Sequence, residues 1–206
     1  MNDYVLLGGG GHARVLAHTL QRLGHRVLGY TAPVDEGLLR GTPWLGDDAR
    51  LVRFAPDCRV VLGVGKIAIE TPRLALLERL QGQGMRFPVV RAATALVHDE
   101  VEIEAGSVVM DGAIVVTGSR LGRACIVNTH ATVDHDCVLG DDVHVAPGAT
   151  LSGGITVGDR CLIGTGASLI QGVTLCADCL IGAGATVTDD IVTPGTYVGT
   201  PARRIA

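Results

Sequence analysis

The stretch Ile126–Val157, IVNTHATVDHDCVLGDDVHVAPGATLSGGITV, places an aliphatic residue at every sixth position: Val127, Val133, Leu139, Val145, Leu151 and Val157. The stride runs unbroken outward, back through Leu121, Val115, Val109 and Ile103 to Val97 and on through Ile163, Leu169, Leu175 and Ile181 to Val187. Two residues before most of these stands a small partner, among them Ala113, Ser119, Cys125, Ala131, Cys137, Ala149, Cys161, Ala167, Cys179 and Ala185. A period of six fits neither a helical face at 3.6 nor plain strand alternation at 2. It fits a chain that makes a short strand, turns, and closes a triangle after three sides, each coil stacking on the last: the hexapeptide form of the parallel β-helix. The aliphatic residue then points inward, its burial worth roughly 1.5–3 kcal/mol. Glycines at 106, 112, 118, 140, 148, 158, 164, 172 and 182 are expected to supply the turn conformations. A β-sandwich would need the whole series to be coincidence.

The 206 residues suffice for two small domains. A formal charge of −4, spread along the chain, gives no basic patch for nucleic acid. No charged segment followed by an apolar run opens the chain, and no apolar stretch reaches spanning length, so a cytoplasmic protein is expected. Cys125, Cys137, Cys161 and Cys179 fall on the small inward position and read as packing residues; Cys58 and Cys176 have no evident role. Six thiols fit a reducing compartment.

Residues 1–90 are a different kind of object from 91–206. Tyr4–Leu7 reads as a buried strand, Gly8-Gly9-Gly10-Gly11-His12 as a turn and Ala13–Leu23 as an amphipathic helix. Further strands are expected at Arg26–Tyr30, Arg59–Val64 and Phe87–Val90, with a helix over Thr71–Gln81 capped by Thr71 and carrying Pro72 at its first position. The sum is a small doubly wound, Rossmann-like α/β domain of about four strands. Gly8, Gly10 and Ala13 satisfy G-x-G-x-x-A, but Tyr30, Thr31 and Ala32 stand where a dinucleotide site needs an acidic residue. The glycine loop still offers N–H groups at a helix N-terminus, suited to the phosphate of a smaller nucleotide.

Chemistry is concentrated in Asn128-Thr129-His130-Ala131-Thr132-Val133-Asp134-His135-Asp136, followed by His144. Since Val133 points inward, Asp134 points outward and His135 and Asp136 occupy the turn beside it. Asn128 and His144 flank inward residues and are expected to face out as well. A carboxylate on one imidazole nitrogen fixes the tautomer and raises the basicity of the other, which is what a general base needs.

With these residues in view, the chain resembles the sugar acyltransferases of the left-handed β-helix superfamily, in particular the bacterial N-acetyltransferases of nucleotide-linked amino sugars and their sialic acid O-acetyltransferase relatives. The resemblance rests on the Gly-Gly-Gly-Gly-His turn, on Asn128…Asp134-His135-Asp136…His144, on Ala146-Pro147-Gly148, and on Val198-Gly199-Thr200-Pro201-Ala202-Arg203. It implies a left-handed coil, against the usual handedness of parallel crossovers, and a homotrimer with active sites between subunits. By position, His135 resembles the catalytic base and Asp136 the carboxylate that enhances it, with Asp134 able to share that work. Asn128 would face the acceptor. His144 and Gly153 would meet the thioester end of acetyl-CoA, and Thr165 and Ala183 would line the groove for its pantetheine arm. The nucleotide sugar would lie against Gly10, Gly11 and His12, with Gly65 and Lys66 closing that pocket. The implied reaction is direct attack by the sugar amine on acetyl-CoA, needing neither metal nor redox cofactor, with a product that feeds either a surface polysaccharide or a protein glycan. The family commonly carries an Asp-Asp pair after the second strand; here Thr31-Ala32 stands there, with Asp35-Glu36 displaced.

Three other readings stay open at this point. Sialic acid O-acetylation would use the same base. A γ-type carbonic anhydrase shares the β-helix, and His130 and His135 have a plausible spacing for two zinc ligands, but the third position falls on Thr94, with His98 out of register. A passive scaffold would leave the Asp-His-Asp cluster without a use.

Overall fold

The computed structural model describes residues 1–35, 37–54 and 58–205. Glu36, half of the displaced acidic pair, lies outside the described residues. The chain divides into two compact units, Met1–Gly65 with Pro72–Ala93, and Lys66–Thr71 with Thr94–Ala206.

In the first unit, β1 (Asp3–Leu7), β2 (Arg26–Thr31) and β3 (Arg59–Leu62) form a parallel sheet in the order β2-β1-β3, with helices α1 (Gly11–Arg22) and α2 (Arg73–Gln81). This is a small sheet and helix, one strand short of the sequence expectation. Phe87–Val90 does not extend the sheet: Arg86 alone bridges Arg59, and Pro88, which has no N–H, stands where a further rung would be. β3 stops at Leu62 because Gly63 lies under α1, where a Cβ would sit 2.7 Å from the Ala13 methyl. Helix α2 starts at Arg73, not Thr71. The Thr71 hydroxyl bonds the Ala68 carbonyl at 2.9 Å instead of capping the helix, and Pro72 takes the N-cap position.

The second unit is a left-handed parallel β-helix, its three-sided coils set by the hexads and its hand the one the resemblance implies. Its first side stacks Val108–Val109, Ile126–Val127, His144–Val145, Leu162–Ile163 and Cys179–Ile181; its second runs from Leu96–Val97 through Thr132–Val133 to Thr186–Val187; its third runs from Glu102–Ile103 through Val138–Leu139 to Thr174–Leu175. Parallel pairing joins Val127 to Val145, Val133 to Leu151 and Leu139 to Val157, so each inward aliphatic meets its equivalent one coil on. That column, with Ala113, Ala131, Ala149 and Ala167, is the buried core. Gly195–Val198 continues the first side and pairs antiparallel with Arg203–Arg204.

Each corner has three residues with distinct physics. From residue 106 to residue 184 the third adopts the left-handed conformation even where it is not glycine, with φ of 54–62° at Ala124, His130, Asp136, Asp142, Arg160 and Asp178. The first is often glycine for another reason. Gly140, Gly158, Gly164 and Gly182, expected to turn the chain, do not have positive φ; a Cβ on Gly158 would sit 2.5 Å from Ala177 N, and one on Gly164 2.5 Å from Ile181 O. Close stacking of coils, not turn conformation, calls for glycine there. The inward cysteines pack as expected, their thiols on corner carbonyls: Cys125 on Gly140, Cys137 on Ser152, Cys161 on Cys176. All six cysteines are free thiols.

Candidate active site

His135 and Asp136 are the second and third residues of one corner. The His135 Nδ1 lies 2.8 Å from Asp136 Oδ2. Asp136 reaches back along the chain because its φ is 58°, a conformation held by its N–H on the Thr117 carbonyl at 3.1 Å. Asp134 turns its carboxylate onto the His135 N–H at 2.7 Å and so fixes the start of the corner. Since a carboxylate only accepts, Nδ1 carries the proton and Nε2 offers its lone pair.

The pair occupies a slot between two glycines. A methyl built on Gly153, one coil on, would fall 2.5 Å from His135 Cε1 and 2.9 Å from Cδ2, with Nε2 closer still. On the other side the Asp136 carboxylate fills the space above Gly118. Gly153 is itself a second corner residue. The ladder leaves N–H groups at that position to side chains, as at Thr129, Arg123 and Asp141, which donate to Asn128, Asp141 and Asp159 respectively.

Asn128 and His144 form a second constellation, on a different corner and the adjoining side. Asn128 Nδ2 stands 3.1 Å from His144 Nε2, and Asn128 Oδ1 accepts from Thr129 N at 2.8 Å. His144 points away from the prism axis as expected, yet it is only 9% exposed. The Lys66–Thr71 segment lies against it, with the Lys66 carbonyl 2.8 Å from Nδ1. Lys66, expected to close a nucleotide pocket, instead buries its ammonium on Asp142 at 2.6 Å. Thr165 and Ala183 are exposed and stack one coil apart, Gly184 N donating to the Thr165 carbonyl at 2.9 Å. Of the residues weighed for zinc, His130 lies over Gly112 at another corner from His135, Thr94 bonds Asp111 at 2.5 Å, and His98 Nδ1 accepts from Thr117 N at 3.3 Å.

In the first unit the glycine turn is built as expected. Gly8, with φ of 112°, donates to the Thr31 carbonyl at 2.7 Å, and Gly9 lies against the Tyr30 ring. Gly10 is the N-cap of α1 with no side-chain cap bond, and Gly65 comes within reach of His12, a Cβ there standing 3.3 Å from the His12 Cβ. Asp35 accepts from the Tyr30 hydroxyl and from Gly37 N at 2.8 Å, and its carboxyl is held below the usual range by the Tyr30 hydrogen bond.

Known proteins share this arrangement over its full length. Residues 154–189 match the family of the hexapeptide repeat of succinyl-transferase. The acetyltransferase domain of PglB from Neisseria gonorrhoeae FA1090 is 34% identical, with a TM-score of 0.92 and 100% of both chains covered. A variant of perosamine N-acetyltransferase from Caulobacter crescentus, solved with CoA and GDP-perosamine, is 32% identical with a TM-score of 0.91, covering 100% of this chain and 98% of that one. The chain belongs to the hexapeptide-repeat acyltransferase family. GDP-perosamine N-acetyltransferase of Escherichia coli O157:H7 is 31% identical over 87 residues, 42% of this chain and 39% of that protein. The chain spans less than half the length of the curated relatives it matches.

The exposed corner raises the basicity of its imidazole. The Asp136 hydrogen bond raises the His135 pKa above the ordinary histidine value; partial desolvation opposes this, and the charges of Asp134 and Asp136 add to it. Two features escaped the sequence reading. Gly118 was findable, because it precedes Asp136 by one coil. The Lys66–Asp142 pair was not, since nothing local links an acidic corner to a lysine 76 residues earlier. Among the described residues no helix is long and apolar enough to cross a membrane.

Proposed function

We propose that this acyltransferase moves the acetyl group of acetyl-CoA onto the amine of a nucleotide-linked amino sugar. The observation that carries this reading is the exposed His135–Asp136 pair over Gly153, in a chain matched along its whole length by a protein that holds CoA and GDP-perosamine. In this reading residues 1–90 bind the nucleotide sugar through Gly10, Gly11, His12 and Gly65, and residues 91–206 bind acetyl-CoA and perform the transfer. The Lys66 ammonium has no part in sugar binding, being committed to Asp142.

The amine attacks the thioester carbonyl as a neutral nucleophile. His135 Nε2 takes its proton as the C–N bond forms, and Asp136 stabilises the imidazolium. The oxyanion accepts a hydrogen bond from Gly153 N–H, a type of contact worth about 2.7–4 kcal/mol in other enzymes. The C–S bond then breaks and coenzyme A leaves as a thiol, reprotonated from His135. Asn128 contacts the acceptor, His144 lies near the acyl end, and Thr165 and Ala183 flank the pantetheine arm. Exposed Leu96 and Val138 support a homotrimer in which neighbouring copies cover apolar side chains, and six free thiols support a cytoplasmic setting.

The test is release of free coenzyme A from acetyl-CoA over UDP-, GDP- and dTDP-linked amino sugars and free sialic acid, for wild type and His135→Ala. Turnover on one amino sugar, falling about 10²–10⁴-fold in the variant, is the expected result. Turnover with sialic acid alone would move the activity to O-acetylation, and equal rates in the two proteins would remove His135 as the base.

A further inference from the structure

The most buried charges of the second unit are not at the corner dyad. The side chains of Lys66 and Asp142 are 0% and 2% exposed, against 49% and 69% for His135 and Asp136. Burying an ion pair is a poor route to stability, because desolvation offsets most of the attraction, so a pair this deep points to a task of geometry. What it fixes is the backbone of Lys66. The ammonium is 2.6 Å from Asp142 Oδ2 and 3.4 Å from the Ile69 carbonyl, and the Lys66 carbonyl is 2.8 Å from His144 Nδ1.

A carbonyl can only accept, so that contact places the proton of His144 on Nδ1 and leaves Nε2 as the acceptor. Nε2 in turn faces Asn128 Nδ2 at 3.1 Å. Asn128 cannot reverse its amide, because Oδ1 is already taken by the Thr129 N–H at 2.8 Å. One N–H of the amide is then spent on His144 and the other is aimed as a donor. The order of events along this chain is electrostatic at one end and directional at the other.

We propose that Lys66 and Asp142 are positioning residues for acyl transfer: the buried pair holds the Lys66 carbonyl on His144, sets its Nδ1–H tautomer, and through that ring orients Asn128 as a hydrogen-bond donor. Neither residue touches substrate. The proposal rests on the assignment of Asn128 and His144 to the acceptor and acyl ends in the function proposed above.

The test uses the full chain with ¹⁵N-labelled histidine. In the wild type the His144 ring nitrogens, identified by their loss in His144→Asn, should show one Nδ1–H tautomer at neutral pH; a mixed or Nε2–H ring would overturn the proposal without any variant. Lys66→Met combined with Asp142→Asn removes both charges together, and Asn accepts the left-handed backbone at 142. The variant should show a mixed tautomer and a roughly tenfold or greater fall in kcat with acetyl-CoA and GDP-perosamine, with KM for acetyl-CoA within about twofold. An unchanged tautomer overturns the proposal whatever the rate, and so does a mixed tautomer with unchanged kcat. If the wild type acetylates none of the amino sugars, the function reading fails separately, and the ring spectra alone decide whether the pair sets His144.

Discussion

Replacing Gly153 by alanine tests the slot that holds the base. The backbone there does not have positive φ, so alanine brings no conformational strain. It brings a methyl 2.5 Å from His135 Cε1, where ordinary contact is 3.4–4 Å, and the imidazole must withdraw by about 1 Å. The ring is exposed and free to swing outward, so stability should change by no more than about 0.5 kcal/mol. Displacement of that size strains the 2.8 Å bond to Asp136 and moves Nε2 off its target. A misplacement of about 1 Å costs roughly 100-fold in rate, or about 2.7 kcal/mol of barrier. Coenzyme A release under saturating substrates, beside a thermal melt, measures both halves. A folded variant with kcat within about twofold of wild type would refute the reasoning. So would a rise in KM for acetyl-CoA at constant kcat, since that would make Gly153 a binding element and not a support for the base.

Two further predictions follow from the same corner and from the first unit. Only neutral His135 can accept a proton, so kcat/KM should rise with pH until it passes the raised pKa of the ring; Asp136→Asn removes the largest raising cause and should move that acidic limb to lower pH while lowering the plateau, read from a pH–rate profile of both proteins. Gly24→Ala should cost about 1–2 kcal/mol and lower Tm by roughly 2–8 °C with no loss of turnover, because Gly24, at φ of 75°, ends α1 in a Schellman motif in which His25 N bonds Leu20 O and Gly24 N bonds Gln21 O.

The β-helix was legible because each hexad carries its own instruction. Val127, Val133 and Leu139 turn inward for reasons local to six residues, and their stacking on Val145, Leu151 and Val157 follows from closure after three sides. The His135–Asp136 bond was legible for the same reason, both partners being neighbours in sequence. Reading failed where a partner comes from far along the chain. His144 looked solvent-facing from its place beside Val145, yet it is buried and its ring meets the carbonyl of Lys66, which no periodicity announces. Lys66 was expected to close a nucleotide pocket beside Gly65, because the carboxylate that holds its ammonium is 76 residues away. The fourth strand of the first unit is excluded by a local signal, Pro88 within Phe87–Val90, which has no N–H to give a ladder.

The repeat also explains how a rigid, almost featureless prism can hold a catalytic pair. Inward positions carry stability, so they are filled with small and aliphatic residues and leave no freedom for chemistry. Corner residues carry little of the core and can be varied, but coils stack closely, and a long side chain at one corner needs empty space at the next. That space is glycine one coil away: Gly153 beside His135, Gly118 beside Asp136, Gly112 beside His130. Each of these three glycines, displaced by 18 residues from the side chain it accommodates, is the footprint of that side chain on a neighbouring coil. In this protein the footprints on both sides of His135–Asp136 are filled by the pair itself, the imidazole over Gly153 and the carboxylate over Gly118, with the outer edge of the ring open to solvent. The base is thus held by three coils although its two chemical groups come from adjacent residues, and the site inherits the rigidity of the prism without disturbing its core.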